Sequence, residues 1–416
     1  MKALVLAGGF PQIALIKELK RRGIETILAD WNREPVARSY ADKFYQISTL
    51  DVDAVTDVAV NEKVDFVITV CTDQALLTVA LVSERLGLPC YIDYQTALNV
   101  TNKEYMKDVF ISNNIPTSHY LTMDNFDENE IENLHFPLIV KPVDCNSSKG
   151  VRKANSLSEL KIYFDDAARM SRSKKVIVEE FVEGFELSAD IYVENGQAIL
   201  LSLSNSQKIA EADKFVIFRA VYPPKLDESV YIKVREVAQQ IANAFHIQNS
   251  PMLIQMITNG RDVSVVEFSA RTGGGIKYLL IKNICGFDVV QAVVDLTMGE
   301  KPHVQLVSPC AKYIVNDFIY CKPGIFDHLE GFDELKQEGI IKDYYVFKWQ
   351  YASFDGVHNS GDRVAAYTIT ADQPDELDKK HKQVRNRIRV IDTNGIDITR
   401  HDLLTDLKIV KGQLSE

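Results

Sequence analysis

A chain of 416 residues has room for about two to four domains, and its 46% apolar and 25% charged fractions are those of an ordinary globular protein. The formal net charge of −11, from 47 basic and 58 acidic side chains, argues against a dedicated nucleic-acid or anionic-membrane surface. No apolar run reaches the ~18 residues of a membrane span, and the opening "MKALVLAGGF" reads as a strand and turn, not as a signal peptide.

In chain order, "KALVLAG" is a strand and "FPQIALIKELKRRG" is a helix with Ile13, Ile16 and Leu19 on one side, stopped by Gly23. "IETILAD" and "DFVITV" are further strands, and "QALLTVALVSERLG" is a helix closed by Gly87. This alternation predicts an α/β unit with a parallel sheet and right-handed crossovers over residues 1–98. Its first loop, "AGGFPQ", lacks the G-x-G-x-x-G dinucleotide fingerprint. Asp30 after the second strand is what keeps a nicotinamide-dehydrogenase reading in view. The basic runs "KELKRR" and "KKHKQVRNRIR" sit on helical segments and read as solvated faces.

Beyond residue 98 the character becomes α+β. "NKEYMKDVFISNNIP" is a helix closed by Pro116, and "FPLIVKPVDCNSSKGV" is a strand running into a small polar loop. "KVIVEEFVEGFELSADIYVENGQAILLSLS" is a succession of strands with a hairpin turn at Asn195-Gly196. "ESVYIKVREVAQQIANAFHI" is an amphipathic helix, "PMLIQMITNGRDVSVVEFSA" a second hairpin, and "YLLIKNICGFDVVQAVVDLTMGE" a helix. After about residue 310, strands at "AKYIVNDFIY", "KDYYVFKWQ" and "AAYTITA" and a helix at "PDELDKKHKQVRNRIRVI" predict an α+β cap. The 6 cysteines and 8 histidines are scattered without metal spacing, so a reduced cytoplasmic protein without a zinc site is expected.

The stretch "VEFSARTGGG" carries the most chemistry. On a strand, Glu267, Ser269 and Arg271 share one face and Val266, Phe268 and Ala270 the other. An acid, a hydroxyl and a base in a row are costly to bury without partners. The glycines that follow let a backbone approach a ligand closely. Four other features precede it: Lys103, Lys141, the loop "DCNSSKG" and "EEFVEGFE". Two lysines on separate elements can neutralise phosphate oxygens. Ser147, Ser148 and Gly150 lie in a loop whose amides and hydroxyls can cradle phosphates, with Lys149 adding charge. Glu179 and Val182 can offer backbone groups to a flat base, and Glu186 can accept from ribose hydroxyls. Glu267 supplies hard oxygens for Mg²⁺. Each feature alone has a plainer reading: a solvated lysine, a turn, an acidic strand edge, or, for Cys145, a small loop residue. Their joint occurrence, in this order, points to nucleotide chemistry.

Residues 1 to about 310 resemble the ATP-grasp superfamily of carboxylate–amine ligases, which includes biotin carboxylase, D-alanine–D-alanine ligase, carbamoyl phosphate synthetase and amino-acid ligases. The resemblance implies a Rossmann-like domain over 1–98, an ATP-grasp domain of two α+β subdomains over 99–310 with a small lid at about 115–185, and a C-terminal α+β cap over 311–416. It implies that Lys103 and Lys141 contact ATP phosphates, that "DCNSSKGV" closes over them and orders with nucleotide, and that Glu179 and Val182 meet adenine and Glu186 the ribose. It further implies Mg²⁺ at Glu267, Gln255 and Ser269, with Ser269 standing where the family usually has Asn, and Arg271 where the acyl group meets the γ-phosphate. The implied activity is activation of a carboxylate as an acyl phosphate and its joining to an amine, with ADP and phosphate released. Small-molecule carboxylate and amine substrates are expected, with no nucleic-acid or membrane partner and a homodimer allowed. A nucleotide-biosynthesis ligase of the same superfamily and a non-catalytic ATP-binding relative are the alternatives.

Gln255 reaches the metal only if it shares the face of Glu267. A hairpin loop with an even number of residues would put it on the wrong face, so an odd loop of three or five residues with a bulge is expected.

Overall fold

A computed structural model describes residues 1–145, 149–209 and 215–407. The chain divides into two compact units, Met1–Ser202 with Asp227–Ser308, and Leu203–Leu226 with Pro309–Glu416.

The first unit begins with four parallel strands in the order Lys43–Gln46, Glu25–Asp30, Lys2–Leu6, Phe66–Ile68. Leu4, Leu6, Ile27 and Val67 pack against Val55 and Val79 of the helices Val52–Glu62 and Asp73–Leu86. The short strand Lys43–Gln46 and the helix Val52–Glu62 were not expected from the sequence. The helices Tyr94–Thr101 and Lys103–Ser112 follow, capped by Asp93 and Asn102, whose side chains accept from Thr96 N and Tyr105 N. Each cap satisfies an amide that the first helical turn leaves unpaired.

An antiparallel sheet in the order Tyr120–Met123, Val176–Glu180, Leu138–Pro142, Arg152–Ala154 comes next. Leu160 and Phe164 of the helix Leu157–Met170 pack on its Leu138, Val140, Val176 and Val178. The chain then passes through Phe181–Gly184 into strands ordered Val263–Ser269, Ser250–Thr258, Phe185–Glu194, Gln197–Lys208. Asn195 and Gly196, at φ of 51° and 82°, make the expected hairpin turn. The helix expected to run unbroken from Tyr278 to Glu300 is instead two, Lys277–Cys285 and Val289–Thr297. Gly286 at φ 76° closes the first and Asp288 caps the second through the amides of Val290 and Gln291.

The second unit orders the end of Gln197–Lys208 with Ile217–Tyr222, Tyr313–Ile319, Ala365–Ala371 and Asp343–Val346 in one antiparallel run. A smaller sheet holds Ser353–Phe354, Gly324–Glu330 and Arg389–Asp392, none of which was expected from the sequence. In the larger run, Asp317 accepts from Arg219 Nε at 2.5 Å and from the Tyr367 hydroxyl at 2.6 Å. Among the described residues no helix is long and apolar enough to cross a membrane.

Candidate nucleotide and metal site

The hairpin that carries the site is built differently from the expectation. Thr258 pairs with Val263, so the turn holds the four residues 259–262, an even number. Met256 then pairs with Val265 but Gln255 with Glu267. Val266 is thus an extra residue, a β-bulge inside the strand, and it shifts the register by one. The expected odd loop is wrong. The expected outcome holds for a different reason: Gln255 and Glu267 stand opposite each other and share a face. Val263, Val265, Phe268 and Ala270 are buried on the other.

Gln255 also faces Ser188 on its other neighbour, and its Nε2 donates to Glu186 Oε1 at 2.9 Å. That leaves the Gln255 Oε1 lone pairs turned away from Glu186. Lys103 comes to 3.5 Å of Glu267 Oε2 and donates to the Cys145 carbonyl at 2.7 Å. Lys103, Gln255 and Glu267 line a cleft open to solvent, with Asp73, Ser269 and Arg271 on its wall, and Glu186 joins them through Gln255. Lys103, Glu186, Gln255, Glu267, Ser269 and Arg271 are therefore brought together.

Lys141 and Glu179 form a second group. Lys141 Nζ lies 2.5 Å from Glu179 Oε1, and Lys107 Nζ lies 2.8 Å from Glu179 Oε2. Ser118 adds a hydroxyl to Glu179 Oε2 at 2.9 Å. Burial pushes the Glu179 carboxyl up, but the two lysine charges outweigh it and hold it at about 2. Glu179 pairs on both sides within its sheet, opposite Tyr120 and Ile139, and its side chain acts here as the counter-ion of two buried lysines. Val182 lies in the unpaired link between the two sheets, half-buried.

Lys149 is exposed in a turn. Gly150 follows at φ 72°, where a Cβ would come within 2.9 Å of Pro142 Cγ and of Met170 Sδ, so both conformation and packing require glycine. Ser147 and Ser148 lie outside the described residues, and with them the centre of the expected phosphate loop.

Asp73, Lys107, Asp190 and Lys277 were not singled out in the sequence. Asp73, the first residue of its helix, takes Arg271 Nε on Oδ1 at 2.6 Å and Arg271 Nη2 on Oδ2, and also accepts from the Ser269 hydroxyl. Burial raises its carboxyl, and Arg271 with the Ser269 hydrogen bond brings it below the ordinary range. Lys107 is the buried partner of Glu179. Asp190 lies 3.4 Å from Lys277, and burial pushes its carboxyl up. Glu186, Ser188 and Asp190 repeat the every-second-residue polarity of "VEFSAR", a signal that was present in "FELSADIYV". Asp73 and Lys107 left no such trace. Cys71 is buried, and burial pushes its thiol up to about 12, which disfavours the thiolate.

Residues 134–278 match the model of the ATP-grasp domain. The formate-dependent phosphoribosylglycinamide formyltransferase of Mannheimia succiniciproducens is 25% identical over 321 residues, 74% of this chain and 79% of that protein. The L-amino acid ligase from Bacillus licheniformis superposes with a TM-score of 0.78 at 19% identity, covering 94% of this chain and 99% of that one. The biotin carboxylase domain of the 2-oxoglutarate carboxylase of Hydrogenobacter thermophilus, solved with MgADP and bicarbonate, gives 0.76 at 14% identity over 97% and 92%. The chain carries an ATP-grasp domain and has the fold of the ATP-grasp superfamily.

Proposed function

We propose that the protein is an ATP- and Mg²⁺-dependent ligase that activates a small-molecule carboxylate as an acyl phosphate and joins it to an amine, releasing ADP and phosphate. The ATP-grasp fold implies an ATP-dependent ligase. The observation that carries the reading is the convergence of Lys103, Gln255 and Glu267 on one cleft, a cation beside hard oxygen donors. The division into a Rossmann-like domain over 1–98, an ATP-grasp domain over 99–310 and a cap over 311–416, and a cytoplasmic place of action, belong to the same proposal.

The donor set fits Mg²⁺. One carboxylate, at Glu267, and one amide oxygen, at Gln255, face the same cleft, and no cluster of three acidic, histidine or cysteine side chains exists among the described residues. Mg²⁺ is held in this way when the substrate's phosphates complete its shell. The hydrogen bond from Gln255 Nε2 to Glu186 fixes which end of the amide is left for a cation. When bound, Mg²⁺ would neutralise β- and γ-phosphate charge.

The protein's own groups do the rest. Lys103 and Lys141 hold phosphate oxygens as point charges. Lys141 reaches its place because Glu179 compensates its burial. Glu186 meets the ribose, and the backbone at Val182, in the link between the strands Val176–Glu180 and Phe185–Glu194, meets the base. Ser147, Ser148, Lys149 and Gly150 cover the phosphates. Arg271 lies one strand repeat beyond Ser269, where it stabilises the charge that grows as the carboxylate oxygen attacks the γ-phosphate. Catalysis is positioning and charge stabilisation and needs no protein nucleophile.

A nucleotide-biosynthesis ligase is the alternative, favoured by the named activity of the Mannheimia relative. A phosphate-release screen over carboxylate and amine pairs, with formate and phosphoribosylglycinamide among them, separates the two. ADP formation that requires both members of a pair supports the proposal. Failure to bind MgATP at all would remove it.

A further inference from the structure

Arg271 is held on three of its five N–H groups. Nε and Nη2 engage the two oxygens of Asp73, and Nη1 donates to the Thr272 carbonyl at 2.9 Å. These three bonds leave one hydrogen on Nη1 and one on Nη2, the two from which the proposed fork is made. Among the described residues nothing accepts from that fork, and Arg271 lines the cleft with its side chain 14% exposed. Asp73 comes from a different layer of the first unit, at the start of the helix after the strand Phe66–Ile68. It also takes the Ser269 hydroxyl hydrogen, so two side chains of the site strand are anchored to one carboxylate. Three donors converge there at the N-terminal end of a helix, which itself favours an anion.

We propose that Asp73 is the positioning residue that clamps Arg271 with its Nη1–Nη2 edge turned to the cleft, as a preformed receptor for a carboxylate or phosphoryl group. The inference rests on the ligase reading for the identity of that group, though not for the clamp. Charge decides what the receptor is good for. Asp73 cancels the Arg271 charge, so the pair holds a resting anion less tightly than a free arginine would. Its fork gains strength as negative charge builds on the transferring group, which is the differential binding that raises kcat.

The test uses full-length protein labelled with ¹⁵N-arginine, with the Arg271 signals identified by their loss in R271K. In the wild type the Nη–H signals of Arg271 should be separate, because the clamp stops rotation, and added orthophosphate should shift them. In D73N they should average to one. A freely rotating Arg271 in the wild type, restrained signals that persist in D73N, or an Arg271 that orthophosphate leaves unmoved would each overturn the proposal. The wild-type measurement decides even if D73N does not fold. With a carboxylate and amine pair that gives ADP, D73N should lower kcat tenfold or more without raising KM for the carboxylate, and should cost less than twofold on an R271A background. A brace of the fold alone would raise KM for ATP and add fully to R271A. If no pair yields ADP, the ligase reading fails while the nuclear-resonance arm still decides the clamp.

Discussion

Gln255 stands opposite Glu267 because Val266 is bulged out of the strand, not because of the turn that joins the two strands. The bulge, and not the turn at 259–262, fixes the face that Gln255 and Glu267 share. One glycine inserted between Gly260 and Arg261 should therefore leave Mg²⁺-dependent ATP affinity within twofold of wild type, at a stability cost below about 1 kcal/mol. Titration of MgATP by calorimetry checks it; a tenfold loss would mean that the turn sets the register.

Glu267→Ala removes the one carboxylate donor of the set. Binding of ATP in the presence of Mg²⁺ should weaken at least tenfold and turnover should fall with it, whereas ATP binding in the presence of a chelator should change little. Equal losses with and without Mg²⁺ would move Glu267 out of the metal site.

Arg271→Ala should behave differently. It should lower kcat by roughly a hundredfold, about 3 kcal/mol, with little change in ATP affinity, because its fork meets charge that develops only as phosphate is transferred. Lysine should restore little, since it has no fork. An unchanged kcat would leave the nucleotide site in place and take Arg271 out of the chemistry.

Glu179 ties chemistry to stability. Its folded carboxyl, at about 2, lies below its unfolded value of about 4.3. A depressed carboxylate contributes its full stability above the unfolded value and loses it as pH falls toward the folded one. The loss should therefore fall between about pH 4.5 and pH 2. Glu179→Gln, which leaves Lys107 and Lys141 buried without their counter-ion, should destabilise by about 3 kcal/mol at neutral pH and flatten that part of the acid profile. Denaturant unfolding across pH measures both.

Periodicity made the frame legible. Period-two polarity marked the site strand, glycines marked helix ends, and "NG" marked a hairpin. The bulge was hidden because Val265 and Val266 are chemically alike, and only tertiary packing selects which of them is squeezed out. Lys103 and Glu267 stood out in the sequence because their types suit phosphate and metal, and the fold brings them to one cleft with Gln255. Asp73 did not, because its meaning comes from Arg271, 198 residues away in the chain. Lys107 looked like one more solvated helix lysine until the fold buried it against Glu179. Gly286 and Asp288 carried a stop and a cap that the apolar run around them obscured.

The proposed function turns on transfer of the γ-phosphoryl group to a carboxylate. The most direct measurement follows ¹⁸O from a labelled carboxylate substrate during turnover, with products read by ³¹P resonance. ADP should form, with one ¹⁸O carried into the released phosphate. AMP and pyrophosphate, or phosphate free of the label, would contradict it.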